Sequence, residues 1–143
     1  MKHDDCLFCK IIEGEIPSAK VYEDEHVYAF MDISQVTTGH TLVIPKVHTK
    51  DLYETPSDIA SSLFAVVPKL SRAIKAAYKP VGLNVLNNNE IAAGQSVFHL
   101  HLHLIPRYGD DKGFDVTWIP RNEEFDAADL QNIANKITQK LDE

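Results

Sequence analysis

Between Phe98 and Pro106 the chain reads FHLHLHLIP, with histidine at 99, 101 and 103 and an apolar residue at each position between. In an extended segment successive side chains alternate faces, so the three imidazoles share one face and Leu100, Leu102 and Leu104 share the other. Adjacent imidazolium charges repel, and nothing structural requires such a row, so the pattern points to chemistry. Two kinds are open. Imidazole is the commonest protein ligand for zinc and its neighbours. At about 3.3 Å per residue, however, the Cα atoms of His99 and His103 lie roughly 13 Å apart. Zinc-bound nitrogens sit about 2.0–2.1 Å from the ion, so neighbours in the row can share one but the outer two are poorly placed to do so. The second kind is covalent catalysis on phosphorus. With an ordinary pKa of about 6.5, an imidazole can be a neutral nucleophile while its neighbour serves as acid.

A phosphoryl centre also needs donors for its non-bridging oxygens and a proton for its leaving group. Just upstream, AAGQSV (92–97) offers candidates. Gly94 permits close backbone approach, Gln95 brings an amide and Ser96 a hydroxyl, and a turn entering the strand could fold Gln95 over the histidine face. Alone, Gly-Gln-Ser reads as an ordinary turn; beside three histidines it reads as a phosphate contact.

Elements must hold these groups in place. AKVYED (Ala19–Asp24), HVYAFMD (His26–Asp32), TLVIP (Thr41–Pro45), GLNVLN (Gly82–Asn87) and VFHLHLHLI (Val97–Ile105) read as strands, the first two joined by a tight acidic turn. After Pro56, Ile59, Leu63, Val66, Val67, Leu70, Ile74 and Tyr78 form a stripe at helical spacing, with Ser57 as N-cap and Pro80 as stop. Pro68 removes a backbone donor within it, so a bend or break is expected there. From Asp126 onward, Leu130, Ile133, Ala134, Ile137 and Leu141 form a second helical face, and a short helix is expected near Cys9–Glu13. Strand runs with segregated helices imply an α+β fold on a mainly antiparallel sheet.

Composition narrows the partners. A length of 143 residues suits one domain, and 44% hydrophobic with 24% charged content suits a soluble one. The apolar runs are too short to cross a bilayer, and MKHDDCLFCK has no apolar signal core, so a cytoplasmic location without membrane partners is expected. A net charge of −7 argues against a nucleic-acid backbone as partner but leaves room for a small phosphorylated ligand. The only cysteines, Cys6 and Cys9, stand as C-L-F-C, which in a reducing compartment suggests a metal or redox site rather than a structural disulfide.

GQSVFHLHLHLIP resembles the signature of the histidine-triad (HIT) family. The segment LFCKIIEGEIPSAKVYEDEHVYAFMDISQVTTGHTLVIPKVH resembles the N-terminal half of its Hint branch almost position by position. Together these cover residues 6–108; the last 35 or so match less clearly. The resemblance implies a single HIT domain over 1–143, with a five-stranded antiparallel sheet and two main helices. It also implies a homodimer, joined through the helix and the Gly82–Asn87 strand. The implied reaction is nucleotidyl hydrolysis or transfer at the α-phosphorus of a nucleoside phosphate derivative. His101 would be the nucleophile, His103 would lie near the leaving group and His99 would support them. His40 matches the family's separately placed fourth histidine. Asn88, Gln95 and Ser96 match phosphate contacts; Phe8, Leu7, Ile11 and Phe30 match the apolar slot for a purine base; Asp32 matches the carboxylate on the ribose hydroxyls.

Cys6 and Cys9 supply two of the four ligands a structural zinc wants, and His48 and His99 are candidates to complete them. Some bacterial HIT members are similar in carrying such a zinc, structural rather than catalytic. His3 and His26 match no role and read as surface residues. The Hint-like resemblance implies purine nucleoside phosphoramidates as the favoured substrates, with dinucleoside polyphosphates beside them. Two other classes stay open: a metal-dependent hydrolase using the histidine row as ligands, and a nucleotide-binding scaffold with little turnover.

Overall fold

Val27 and Ala29 point to one side of their strand and Tyr28 and Phe30 to the other, and both sides are buried. The structure, a computed structural model describing residues 3–141, explains why. Five strands, β1 (Lys20–Glu23), β2 (Val27–Met31), β3 (Thr41–Pro45), β4 (Gly82–Leu86) and β5 (Leu102–Arg107), form one antiparallel sheet in the order β1-β2-β3-β5-β4. Helix α1 (Leu7–Ile12) lies toward one face, and α2 (Ser57–Ala65) with α3 (Val67–Tyr78) covers the other. Val27, Ala29, Val43, Leu100, Leu102 and Leu104 meet Leu63, Leu70 and Ile74 from the helices. Tyr28, Phe30, Leu42 and Ile44 meet Phe8 and Ile11 of α1. Central strands covered on both faces lose the apolar–polar alternation of a half-exposed sheet, which is why β3 is buried throughout.

Local chemistry sets the boundaries. Asp24 Oδ1 accepts from the backbone N–H groups of His26 and Val27, closing the β1–β2 turn. Pro68 falls in the first turn of α3, where its missing N–H has no bond to lose, so the expected long helix divides after Ala65. Ser57 is not the N-cap of α2; Pro56 holds that place and its carbonyl accepts from Ala60 N–H. Helix α1 begins two residues earlier than expected because Cys6 Sγ accepts from Cys9 N–H and caps it.

The largest departure is at β5. Its ladder starts at Leu102, not Val97, because Leu100 N–H donates to the Thr49 carbonyl at 2.7 Å and draws residues 97–101 out of the sheet. The alternation survives: Leu100 still joins the helix-covered core.

Beyond Tyr108 the chain leaves the sheet and ends in α4 (Ala127–Thr138), opened by an Asp126–Asp129 capping box. Its apolar stripe, Leu130, Ile133 and Ile137, is exposed, and Leu141 lies past its end. No helix among the described residues is long and apolar enough to cross a membrane.

Candidate active site and adjoining metal set

The pairing register gathers three polar groups at one end of three strands. Asp32 follows β2, His40 precedes β3, and His103 lies opposite Leu42 in the β3–β5 pair. Asp32 N–H donates to the His40 carbonyl at 3.1 Å, locking the two together. Gly39, at φ +99°, makes the turn into His40; a Cβ there would meet Pro106 at 3.1 Å. His101 stands just ahead of β5, with ring centres 5.0 Å from His103 and 5.2 Å from Phe8.

The hydrogen bonds decide which nitrogen of each ring carries a proton, because a carbonyl only accepts and a backbone N–H only donates. His101 Nδ1 lies 2.8 Å from the His99 carbonyl, so Nδ1 is protonated and Nε2 holds the lone pair. Val36 N–H donates to His40 Nδ1 at 3.3 Å, which places the His40 proton on Nε2. That proton is donated to His103 Nδ1 at 2.9 Å, and His103 therefore carries its own proton on Nε2. Among the described residues neither His101 Nε2 nor His103 Nε2 has a protein partner, and no fully buried side-chain nitrogen or oxygen lacks one. Both atoms therefore reach the solvent-facing surface, one as a lone pair and the other as an N–H.

Burial keeps these rings neutral. Desolvation draws His101 and His40 below the ordinary imidazole range, against the opposing pull of Asp32, and draws His103 down to about 4 with help from His101 and His40. A neutral His101 is a competent nucleophile at pH values where a surface histidine would be partly protonated.

His99 belongs to a different group. Its Nε2–H donates to the Pro45 carbonyl at 2.8 Å, leaving Nδ1 as a lone pair. That nitrogen lies 3.5 Å from Cys6 Sγ, 3.6 Å from Cys9 Sγ and 3.2 Å from His48 Nδ1, with Cys9 Sγ to His48 Nδ1 at 3.4 Å. Donor atoms at the corners of a zinc tetrahedron lie about 3.3–3.8 Å apart, given bonds of about 2.0–2.3 Å. Two thiols and two imidazoles at these separations could hold a metal ion. Burial pushes the Cys9 thiol up, draws His48 below the ordinary imidazole range and takes His99 down to about 4, so without an ion these three donors rest neutral.

Asp32, His40 and His103 also bring three donor atoms together. There the Val36 N–H occupies His40 Nδ1, so His40 offers a proton rather than a lone pair to its neighbours, and the cluster reads as a hydrogen-bonded relay. Asp32 Oδ1 accepts from Ser34 N–H, and its Oδ2 faces His40 Nε2 at 3.5 Å.

The other expected site residues divide. Phe8, Ile11 and Phe30 form one buried apolar cluster, with Phe8 edge-on to Phe30 at 5.5 Å, while Leu7 is exposed outside it. Asn88 lies against Gly94, and Ser96 is exposed. Gln95 does not extend its amide over the histidine face. It is 4% exposed, donates to the Lys50 and Val97 carbonyls and accepts from Glu90 N–H, so it braces the loop.

Two residues were missed. Asn87 Nδ2 donates to the His101 carbonyl at 3.0 Å, a bond that only the β4–β5 register creates. His3, expected to be an idle surface residue, stacks on His48 at 3.7 Å and donates its backbone N–H to Cys9 Sγ. His26 is exposed beside Glu25 as expected.

Residues 13–110, which contain the entire row and its His40 partner, match the family described as HIT domain. The chain belongs to the HIT family. A HIT family protein from Bacillus anthracis has a crystal structure that superposes with a TM-score of 0.94 at 59% identity, covering 96% of this chain and 98% of that one. The adenosine 5'-monophosphoramidase HNT1 of Candida albicans is 39% identical over 143 residues, covering 97% of this chain and 93% of that protein. A zinc-bound HIT family protein from Mycobacterium smegmatis superposes with a TM-score of 0.73 at 38% identity, covering 92% and 97%. The five-stranded antiparallel sheet with helices is the fold of these HIT neighbours.

Proposed function

We propose that this HIT protein is a nucleotidyl hydrolase or transferase acting at the α-phosphorus of purine nucleoside phosphoramidates or dinucleoside polyphosphates. The observation that carries the reading is the hydrogen bonding of two neighbouring rings, their centres 5.0 Å apart: the His99 carbonyl at His101 Nδ1 leaves the lone pair of His101 on Nε2, and His40 at His103 Nδ1 leaves the N–H of His103 on Nε2.

In the first step His101 Nε2 bonds to the α-phosphorus as the bond to the leaving group breaks. The leaving group departs with its electron pair and is protonated from solvent water. The imidazole, now bonded at both nitrogens, carries positive charge, and its Nδ1–H remains held by the His99 carbonyl. His103 Nε2–H donates a hydrogen bond toward the phosphoryl group or leaving atom, stabilising charge that develops there. Water then attacks phosphorus and gives up a proton to solvent, the P–N bond to His101 breaks, and the nucleoside monophosphate leaves as His101 returns to the neutral ring. The Phe8, Ile11 and Phe30 cluster serves as the wall of the base slot, and Asp32 accepts from the ribose hydroxyls. Asn88 and Ser96 contact phosphate. HNT1 of Candida albicans, named as an adenosine monophosphoramidase, supports the phosphoramidate side of this reading.

Cys6, Cys9, His48 and His99 act as a structural zinc site, a reading supported by their donor spacing and by the zinc-bound Mycobacterium smegmatis relative. When bound there, the ion cross-links α1 to the sheet and takes no part in phosphorus chemistry, since neither His101 nor His103 belongs to its set. The protein works as a cytoplasmic homodimer, with the exposed edge strand β4 and α3 as the contact face.

Incubation with adenylated amines and diadenosine polyphosphates, comparing wild type with His101→Gly, tests the activity. The wild type releases AMP from at least one class and the variant from none. A wild type that cleaves no member of the panel refutes the proposal.

A further inference from the structure

We infer that Cys6, Cys9, His48 and His99 form a positioning device for the nucleotide site, so that metal and nucleotide bind with positive linkage. This rests on the nucleotide reading above and adds a regulator to it.

Two routes join the metal set to the reacting ring. The first is His99 itself. Its Nδ1 belongs to the set, its Nε2–H is tied to the Pro45 carbonyl, and its own carbonyl accepts from His101 Nδ1–H at 2.8 Å. Whatever fixes His99 therefore fixes the acceptor that keeps the lone pair of His101 on the outward nitrogen. The second route is α1. Cys6 caps this helix and Cys9 lies in its first turn, so Phe8 is carried between the two thiols. The Phe8 ring stands edge-on to His99 at 5.9 Å, to His101 at 5.2 Å and to Phe30 at 5.5 Å, and Ile11 joins the same cluster.

A helix of six residues is too short to persist in water by its own backbone bonds. What holds α1 is the thiol set on one side and the burial of Phe8 and Ile11 on the other. Releasing the thiols loosens the wall of the base slot and a packing neighbour of the nucleophile together. The His40–His103 pair shares no residue with either route and keeps its geometry. A ligand that needs the wall in place must then bind the metal-loaded chain more tightly, and by reciprocity it must tighten the metal by the same factor.

The test uses the full chain, AMP as a probe that is not turned over, and Zn2+ alone as the metal. Calorimetry of the zinc-loaded and chelator-stripped protein should show AMP affinity falling on stripping by about 5- to 150-fold, the usual span of such coupling. Competition with a chromogenic chelator should show AMP tightening Zn2+ by the same factor. Equal AMP affinity in the two forms overturns the linkage while leaving the nucleotide reading intact; no AMP binding to the loaded protein sinks that reading instead. Circular dichroism establishes that the stripped chain remains folded. If it unfolds, Phe8→Ala decides, because it keeps all four donors. The variant should bind one Zn2+ by native mass spectrometry, and AMP should alter its zinc affinity by a clearly smaller factor than in wild type, since only the His99 route remains. Wild-type coupling persisting in Phe8→Ala overturns transmission through α1.

Discussion

His99 and His103 stand four residues apart in one row, both drawn down to about 4 by burial, yet they face opposite tasks. His99 gives its Nε2 proton to the Pro45 carbonyl and turns a lone pair toward two thiols and His48. His103 receives the His40 proton on Nδ1 and presents an N–H to the open surface. Residue type and titration behaviour do not separate them. The difference lies in what the backbone places on the far nitrogen: a carbonyl at Pro45 in one case and, through His40, an amide N–H at Val36 in the other. On the proposed reading, the hydrogen bonds behind a row of identical side chains divide it into a metal ligand, a nucleophile and a donor.

The sharpest way to break this division is to remove one end and read the other. His101→Ala should abolish AMP release by about a thousandfold or more while leaving metal content unchanged. Cys9→Ser should lose the metal by native mass spectrometry. If His101→Ala also sheds the metal, the two ends are not separate. A smaller effect concerns pH. The folded pKa of His103 lies near 4 against an ordinary 6.5, so between those values the unfolded chain binds the additional proton. The contribution of His103 to stability is thus complete above about pH 6.5 and is lost as pH falls toward about 4. Urea midpoints measured across that window should fall less steeply in His103→Gln than in wild type; parallel slopes would contradict the assignment. Smallest is Asn87→Ala, which removes the donor to the His101 carbonyl. It should cost about 1 kcal/mol in chemical denaturation and lower turnover modestly with metal content intact.

How much of this was readable in the chain follows the range of the forces involved. The five strands were legible because alternation and short runs of β-favouring residues are local signals, and so was the break at Pro68. The start of β5 was not, because it is set by the Thr49 carbonyl, fifty-one residues from its partner Leu100. Gln95 was misread for a similar reason: its amide is taken by Lys50, far off in the chain. The separation of His99 from His103 followed from strand rise alone, but the protonation of each ring depends on Pro45, Val36 and His40, which only the folded register brings near. In α4 the periodicity of Leu130, Ile133 and Ile137 was visible, although periodicity identifies a helix without saying what it packs against.

The proposed chemistry requires His101 Nε2 to become bonded to phosphorus. Rapid quenching of the protein with an adenosine phosphoramidate, followed by peptide mass spectrometry, measures this directly. One adenylyl group is expected on the peptide containing residues 98–106, assigned to His101 and absent from His101→Gly. AMP release at full rate with no trapped adduct, or an adduct on any other residue, would contradict it.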